Sequence, residues 1–131
     1  MRLLHALATG ALLIAGCSGA SLAKSKNPEA ELAAEIEGRV PGKPVHCIPL
    51  HRVRSSRIID RTAIVYDTGS TIYVNRPANA DTLDRWDTMV ITPFASQLCK
   101  IDSVRLIDSS LRTTTGFLVL GEFVPYKLVK R

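Results

Sequence analysis

Residues 62–75 read TAIVYDTGSTIYVN. Two runs rich in β-branched and aromatic residues, TAIVYD and TIYVN, flank Thr68-Gly69-Ser70. Such side chains fit a pleated surface, and a short connection with glycine can reverse the chain because glycine tolerates positive φ. The stretch therefore predicts a β-hairpin, and it sets the class of the chain as mainly β.

The same pattern extends outward. Residues 45–53 are a strand candidate, broken at Ser55-Ser56 and resumed over 57–60. Residues 76–88 carry proline, asparagine and charge, and read as a loop with a helical turn near 83–86. A short apolar strand follows at 89–91, and residues 98–107 read as a strand pair or one long strand through Cys99. Residues 117–124, FLVLGEFV, are apolar on both faces, which predicts a strand in the middle of a sheet. The expected fold is mainly β (α+β): a small antiparallel sheet or partly closed barrel, with one amino-terminal helix and one disulfide.

That helix starts at Asn27-Pro28-Glu29, which supplies a cap, a proline at the first helical position and acid in the first turn. Leu32, Ala33 and Ile36 form a narrow apolar stripe, and Gly38 is a natural stop. Glu29, Glu31, Glu35 and Glu37 are expected to leave the other face in water. The helix either docks on the domain or belongs to a stalk, since so short a helix is marginal unless it packs.

Residues 1–16, MRLLHALATGALLIAG, place Arg2 before an apolar run. The run is shorter than the roughly 20 residues a permanent span needs, so it reads as a secretory signal peptide. Ile14-Ala15-Gly16-Cys17 resembles a bacterial lipobox, in which small side chains fit the peptidase and the cysteine thiol takes a diacylglycerol. Ser18 rather than aspartate follows, which by resemblance to lipoprotein sorting favours the periplasmic face of the outer membrane. The alternative is cleavage after Ala23, which would release a soluble periplasmic or secreted protein. The expected organisation is a lipoprotein signal peptide at 1–16, a flexible tether at 17–26, a short helix at 27–40 and a small β-rich domain at 41–131.

In either case Cys17 leaves the pairing count. Cys47 and Cys99 then form an even pair in an oxidising compartment, which reads as one disulfide. His46, Cys47 and His51 invite a metal reading, but on an extended strand 47 and 51 share a face and 46 points away. Neither a metal nor a cofactor is expected.

The chain has 17 basic and 12 acidic residues, a formal charge of +5. That suits contact with anionic surfaces. Nucleic acid is not the expected partner, because no clustered patch with stacking aromatics and no known module is present. The densest basic stretch holds Arg52, Arg54 and Arg57. These are candidate anion-binding residues, because guanidinium groups make forked hydrogen bonds to phosphate and carboxylate. The bland reading is a solvated strand edge that discourages edge pairing, or ion pairs with Asp60 and Asp67. Ser55-Ser56 and Ser109-Ser110 sit in no nucleophile elbow, and no histidine follows His51. Asp60, Asp67, Asp102 and Asp108 could pair for acid–base work, although aspartate is favoured at turns for structural reasons. Trp86, the single tryptophan, is either an exposed contact residue or a lid over the core.

Four segments carry a resemblance: CIPLHRVRSSRIIDRTAIVY at 47–66, YVNRP at 73–77, SQLCKIDSVRLID at 96–108 and LGEFVPY at 120–126. Together they resemble a family of small exported proteins of Gram-negative bacteria known as a domain of unknown function. The resemblance covers residues 45–126, with cysteines at Cys47 and Cys99 and a terminal pattern of Gly121, Phe123 and Pro125. It implies export and the fold class, and brings no catalytic residues. Some members carry further cysteines that this chain lacks.

The expected function is that of a membrane-tethered periplasmic lipoprotein domain with a binding or structural role. Its partners would be the membrane, through the lipid anchor, and an envelope protein or an anionic envelope component. The alternative is a small envelope hydrolase using strand-end aspartate or histidine residues.

Overall fold

The computed structural model describes residues 27–130. Cys17, Ala23, the leader and the tether lie outside the described residues. One helix, α1 (Pro28–Glu35), and ten strands follow: β1 (Arg39–Pro41), β2 (Cys47–Pro49), β3 (Ser55–Ile59), β4 (Ala63–Asp67), β5 (Thr71–Asn75), β6 (Asp87–Thr92), β7 (Gln97–Cys99), β8 (Ser103–Asp108), β9 (Thr114–Leu118) and β10 (Phe123–Leu128). The strands build three antiparallel sheets, ordered β1-β10-β5-β4-β3, β2-β7 and β6-β8-β9. The fold is mainly β, as the hairpin implied, but its sheets stay open and do not close into a barrel.

The 62–75 hairpin forms the middle of the largest sheet, with Tyr66 opposite Tyr73 and Val65 opposite Val74. Its turn is closed by Thr68 N–H donating to the Thr71 carbonyl at 3.0 Å and by Gly69 N–H donating to Asp67 Oδ1 at 2.6 Å. Gly69 sits at φ +91°, where only glycine is relaxed.

Period-2 alternation divides the hairpin between two cores. Ala63, Val65, Ile72 and Val74 pack with Ile59 and Leu32 beneath α1. Ile64 and Tyr66 face the other way, onto Ile58, Phe123, Ile48, Leu98, Val104, Leu106 and Leu118. The five-stranded sheet is thus the middle of three layers, with α1 on one face and the two smaller sheets on the other.

The helix is docked rather than part of a stalk. Asn27 caps it, accepting from Glu29 N–H at 3.0 Å, and Leu32 is buried with Ile36 packed beside it. Glu29 and Glu37 are exposed as expected, but three of the four glutamates are held by arginines rather than by water alone. Glu29 accepts two hydrogen bonds from Arg76, at 2.8 and 3.0 Å, Glu31 meets Arg85 at 3.1 Å, and Glu35 pairs with Arg57. The helix ends at Glu35, earlier than the 27–40 segment anticipated. Gly38 at φ +71° turns the chain so that β1 can pair with β10.

Other expectations are corrected by the packing. The strand anticipated at 45–53 stops at Pro49, and residues Leu50–Arg52 make one 3₁₀ turn. Ser55 and Ser56 open β3 instead of breaking a strand. The helical turn expected near 83–86 lies at Ala80–Thr82.

FLVLGEFV is not one strand. Leu118 ends β9 in the three-stranded sheet and Phe123 opens β10 in the five-stranded one. Both ends, with Leu120 between them, face the same core from opposite layers, while Phe117 and Val119, which make the segment look apolar on both faces, are exposed. Two asparagines hold the crossing. Asn79 accepts from Val119 N–H at 2.9 Å and donates to the Phe117 carbonyl at 2.7 Å. Buried Asn75 accepts from Gly121 N–H at 3.0 Å and donates to its carbonyl at 2.8 Å. A Cβ on Gly121 would lie 2.6 Å from the Arg76 carbonyl oxygen, so the two backbones can approach only with glycine there.

Candidate functional site

Cys47 and Cys99 stand directly opposite each other on β2 and β7, with Cα atoms 4.0 Å apart, and are joined by a disulfide. His46 lies 3.5 Å from Glu122, which also has Lys100 at 4.0 Å. Among the described residues no three metal-ligating side chains gather.

The three candidate arginines separate. Arg57 lies on the α1 side of β3 and is taken up by Glu35. Arg52 is exposed on the 3₁₀ turn, because Pro49 ends the strand on which Arg52 and Arg54 were to share a face. Arg54 instead lays its guanidinium over Gly69, with atoms 2.8–3.1 Å from where a Cβ would be. Its backbone N–H donates to the Asp67 carbonyl at 2.7 Å.

A basic cluster that no single stretch of sequence contains gathers there. Arg39, brought in by β1, donates to the Ser70 carbonyl at 3.2 Å, so two guanidinium groups bracket the 68–70 turn. Beside it, Ser70, Thr71, Lys127, Leu128 and Lys130 line a shallow depression of about 350 Å³. Among the described residues, no carboxylate pairs with Arg39, Arg54, Lys127 or Lys130. The nearest acid in the turn, Asp67, is engaged by Gly69 N–H. Register produces the cluster: Arg39 faces Leu128 and Thr71 faces Lys127. The sequence signal was divided over four segments, so only Arg54 was anticipated.

A larger cleft of about 560 Å³ opens between α1, β3 and β6, with Ser56, Arg57, Arg85, Trp86, Asp87 and Thr88 among its walls. Trp86 is 77% exposed and so is a rim residue, not a lid. Its N–H donates to Asp84 Oδ1 at 2.9 Å and its carbonyl accepts from Ser109 at 2.8 Å. Arg85 donates from its backbone to Asp60 at 2.7 Å and from its guanidinium to Glu31 at 3.1 Å. The Asp60 and then the Glu31 hydrogen bonds hold its guanidinium above its ordinary pKa. Glu31 and Asp87 match Arg57 and Arg85 on its walls, and both guanidinium groups are already held by carboxylates, Arg57 by Glu35 and Arg85 by Asp60 and Glu31, so the cleft offers no unpaired cation to an anion.

The aspartates proposed for acid–base work are dispersed. Asp60 holds Arg85, Asp67 the hairpin turn, Asp102 the Cys99 N–H at 2.7 Å, and Asp108 the N–H groups of Ser110 and Leu111 at 2.7 Å each. Ser109 supports Trp86 and shares a hydrogen bond with Thr88 at 2.9 Å, and no histidine lines the cleft. Tyr66 is buried against Phe123, and burial holds its phenol well above its ordinary pKa. No helix among the described residues is long and apolar enough to cross a membrane.

No family model, curated protein or solved structure matches the chain.

Proposed function

We propose that the chain is a binding domain of the Gram-negative cell envelope, exported and anchored by an acylated Cys17, that holds an oxyanion-bearing polymer at its basic end. The observation that carries this is the cluster of Arg39, Arg54, Lys127 and Lys130 around a fixed turn, with no carboxylate partner among the described residues. Forked donors on Arg39 and Arg54 suit carboxylate or phosphate, and two lysines add charge without fixing a geometry. The leader, the lipobox resemblance and the family resemblance support export.

The chemistry is shared by peptidoglycan carboxylates and lipopolysaccharide phosphates, so the test has two arms. The full chain is co-sedimented with purified sacculi and, separately, with lipopolysaccharide micelles, over a range of salt. Binding is expected to weaken with salt, since the screening length falls from about 10 Å at 0.1 M to about 3 Å at 1 M. Replacing Arg54 and Lys127 by glutamate is expected to lower affinity at least tenfold, which is about 1.4 kcal/mol. Binding to neither material, or binding unchanged by the two substitutions, overturns the proposal. Release of soluble fragments from sacculi would favour the hydrolase instead.

A further inference from the structure

Among the described residues the most exposed large apolar side chains are Phe94, at 98%, and Ile101, at 85%. Both occupy one corner. Asp102 joins their two loops, accepting from Phe94 N–H at 3.4 Å and from Cys99 N–H at 2.7 Å. Lys100 N–H donates to the His46 carbonyl at 2.9 Å, and the Cys47–Cys99 bond lies one residue away. The backbone of this corner is therefore staked from several sides while two apolar side chains stand in water. Packing within the domain does not account for them, and exposed apolar groups gathered on staked loops are a candidate interaction surface.

Their position in the fold identifies the partner. The chain enters at Asn27, and Glu29 in the first turn of α1 is held by Arg76, just beyond the end of β5. The Arg76 carbonyl abuts Gly121, and the next residue, Glu122, meets both His46 and Lys100 of the corner. Chain entry and corner thus lie at the same end of the five-stranded sheet. The basic cluster, with Arg39 opposite Leu128, lies at the other end. Ten peptide links separate Cys17 from Asn27, a span of at most about 36 Å.

We propose that Phe94 and Ile101 form a tip that inserts into the bilayer carrying the acylated Cys17. This rests on the anchor reading above and adds an orientation to it. Lys100, next in sequence to Ile101 and only 4.0 Å from Glu122, supplies a half-exposed cation at this corner that lipid phosphates would attract. Two side chains make a weak site alone, but the tether keeps the tip at high effective concentration at the surface. The basic cluster then faces away from the lipid, toward periplasmic polymer.

The test uses the full chain extracted from membranes and placed in vesicles of phosphatidylethanolamine and phosphatidylglycerol. An environment-sensitive fluorophore is attached through Ala95→Cys or, at the opposite end, Ser70→Cys. Emission from position 95 is expected to shift to the blue and to be quenched by spin-labelled acyl chains, while position 70 stays aqueous. Phe94→Asp with Ile101→Asp, both on exposed sites, is expected to abolish the shift without lowering the thermal midpoint. Intact mass read in parallel reports the anchor separately. Acyl mass with an aqueous signal at 95 overturns the tip and leaves the anchor standing. Absence of acyl mass removes the anchor; in that case a blue shift at 95 on vesicle addition still supports the tip, and no shift overturns it. A blue shift at 70 instead of 95 also overturns it.

Discussion

Asn75 shows how much one buried amide can determine. Its side chain satisfies both backbone groups of Gly121, where the chain passes from one sheet to another. Asn75→Ala leaves the part-buried N–H and carbonyl of Gly121 without their partner, each costing about 1–2 kcal/mol. A stability loss of roughly 2–4 kcal/mol is therefore expected in urea denaturation, with unchanged m-value. Asn75 was legible in the sequence only as the last residue of a strand, because its partner lies 46 positions away. The aspartates were read more fully. Asp60, Asp67 and Asp108 sit at the ends of anticipated strands, where aspartate is structurally favoured, and Asp67 and Asp108 hold turn N–H groups there; Asp102 falls inside an anticipated strand, and its hold on Cys99 N–H was not visible. Arg54 stands out in the sequence as one of three candidate anion-binding arginines, but Arg39, which completes the pair around the turn, is reached only through β1.

The elements that were visible are those whose signal is local. The hairpin over β4 and β5 and the Asn27 cap each announce themselves within a few residues. What escaped depended on partners elsewhere: the glutamates of α1 look solvated until Arg57, Arg76 and Arg85 are in place. Docking of α1 should therefore depend on pH. Hydrogen bonds from Arg76, aided by its charge, hold the Glu29 carboxyl below 4.5, its ordinary value. A carboxylate with a lowered folded pKa contributes stability above its unfolded value and loses it as pH falls through the folded one. The gap in thermal midpoint between wild type and Glu29→Gln is expected at neutral pH and should close as pH drops below 4.5. The pair is exposed, so high salt should narrow the gap as well.

Across the whole molecule, one covalent link ties β2 to β7 over 52 positions. Closing a loop of that size removes unfolded-chain entropy worth roughly 4 kcal/mol. Cys47→Ala with Cys99→Ala should lower unfolding free energy by about that amount, a large share of the roughly 5–15 kcal/mol typical of small domains. Strand order has a different consequence. β10, the last strand among the described residues, lies between β1 and β5, which are not hydrogen-bonded to each other. Until it arrives, the first strand has no neighbour and the hairpin presents a bare edge. A chain emerging from its amino end thus cannot finish its largest sheet before β10 has followed. Products cut short upstream of Phe123 would lack the piece that joins beginning to middle, and would meet the proteases of their compartment as open chains. The fold checks its own completeness.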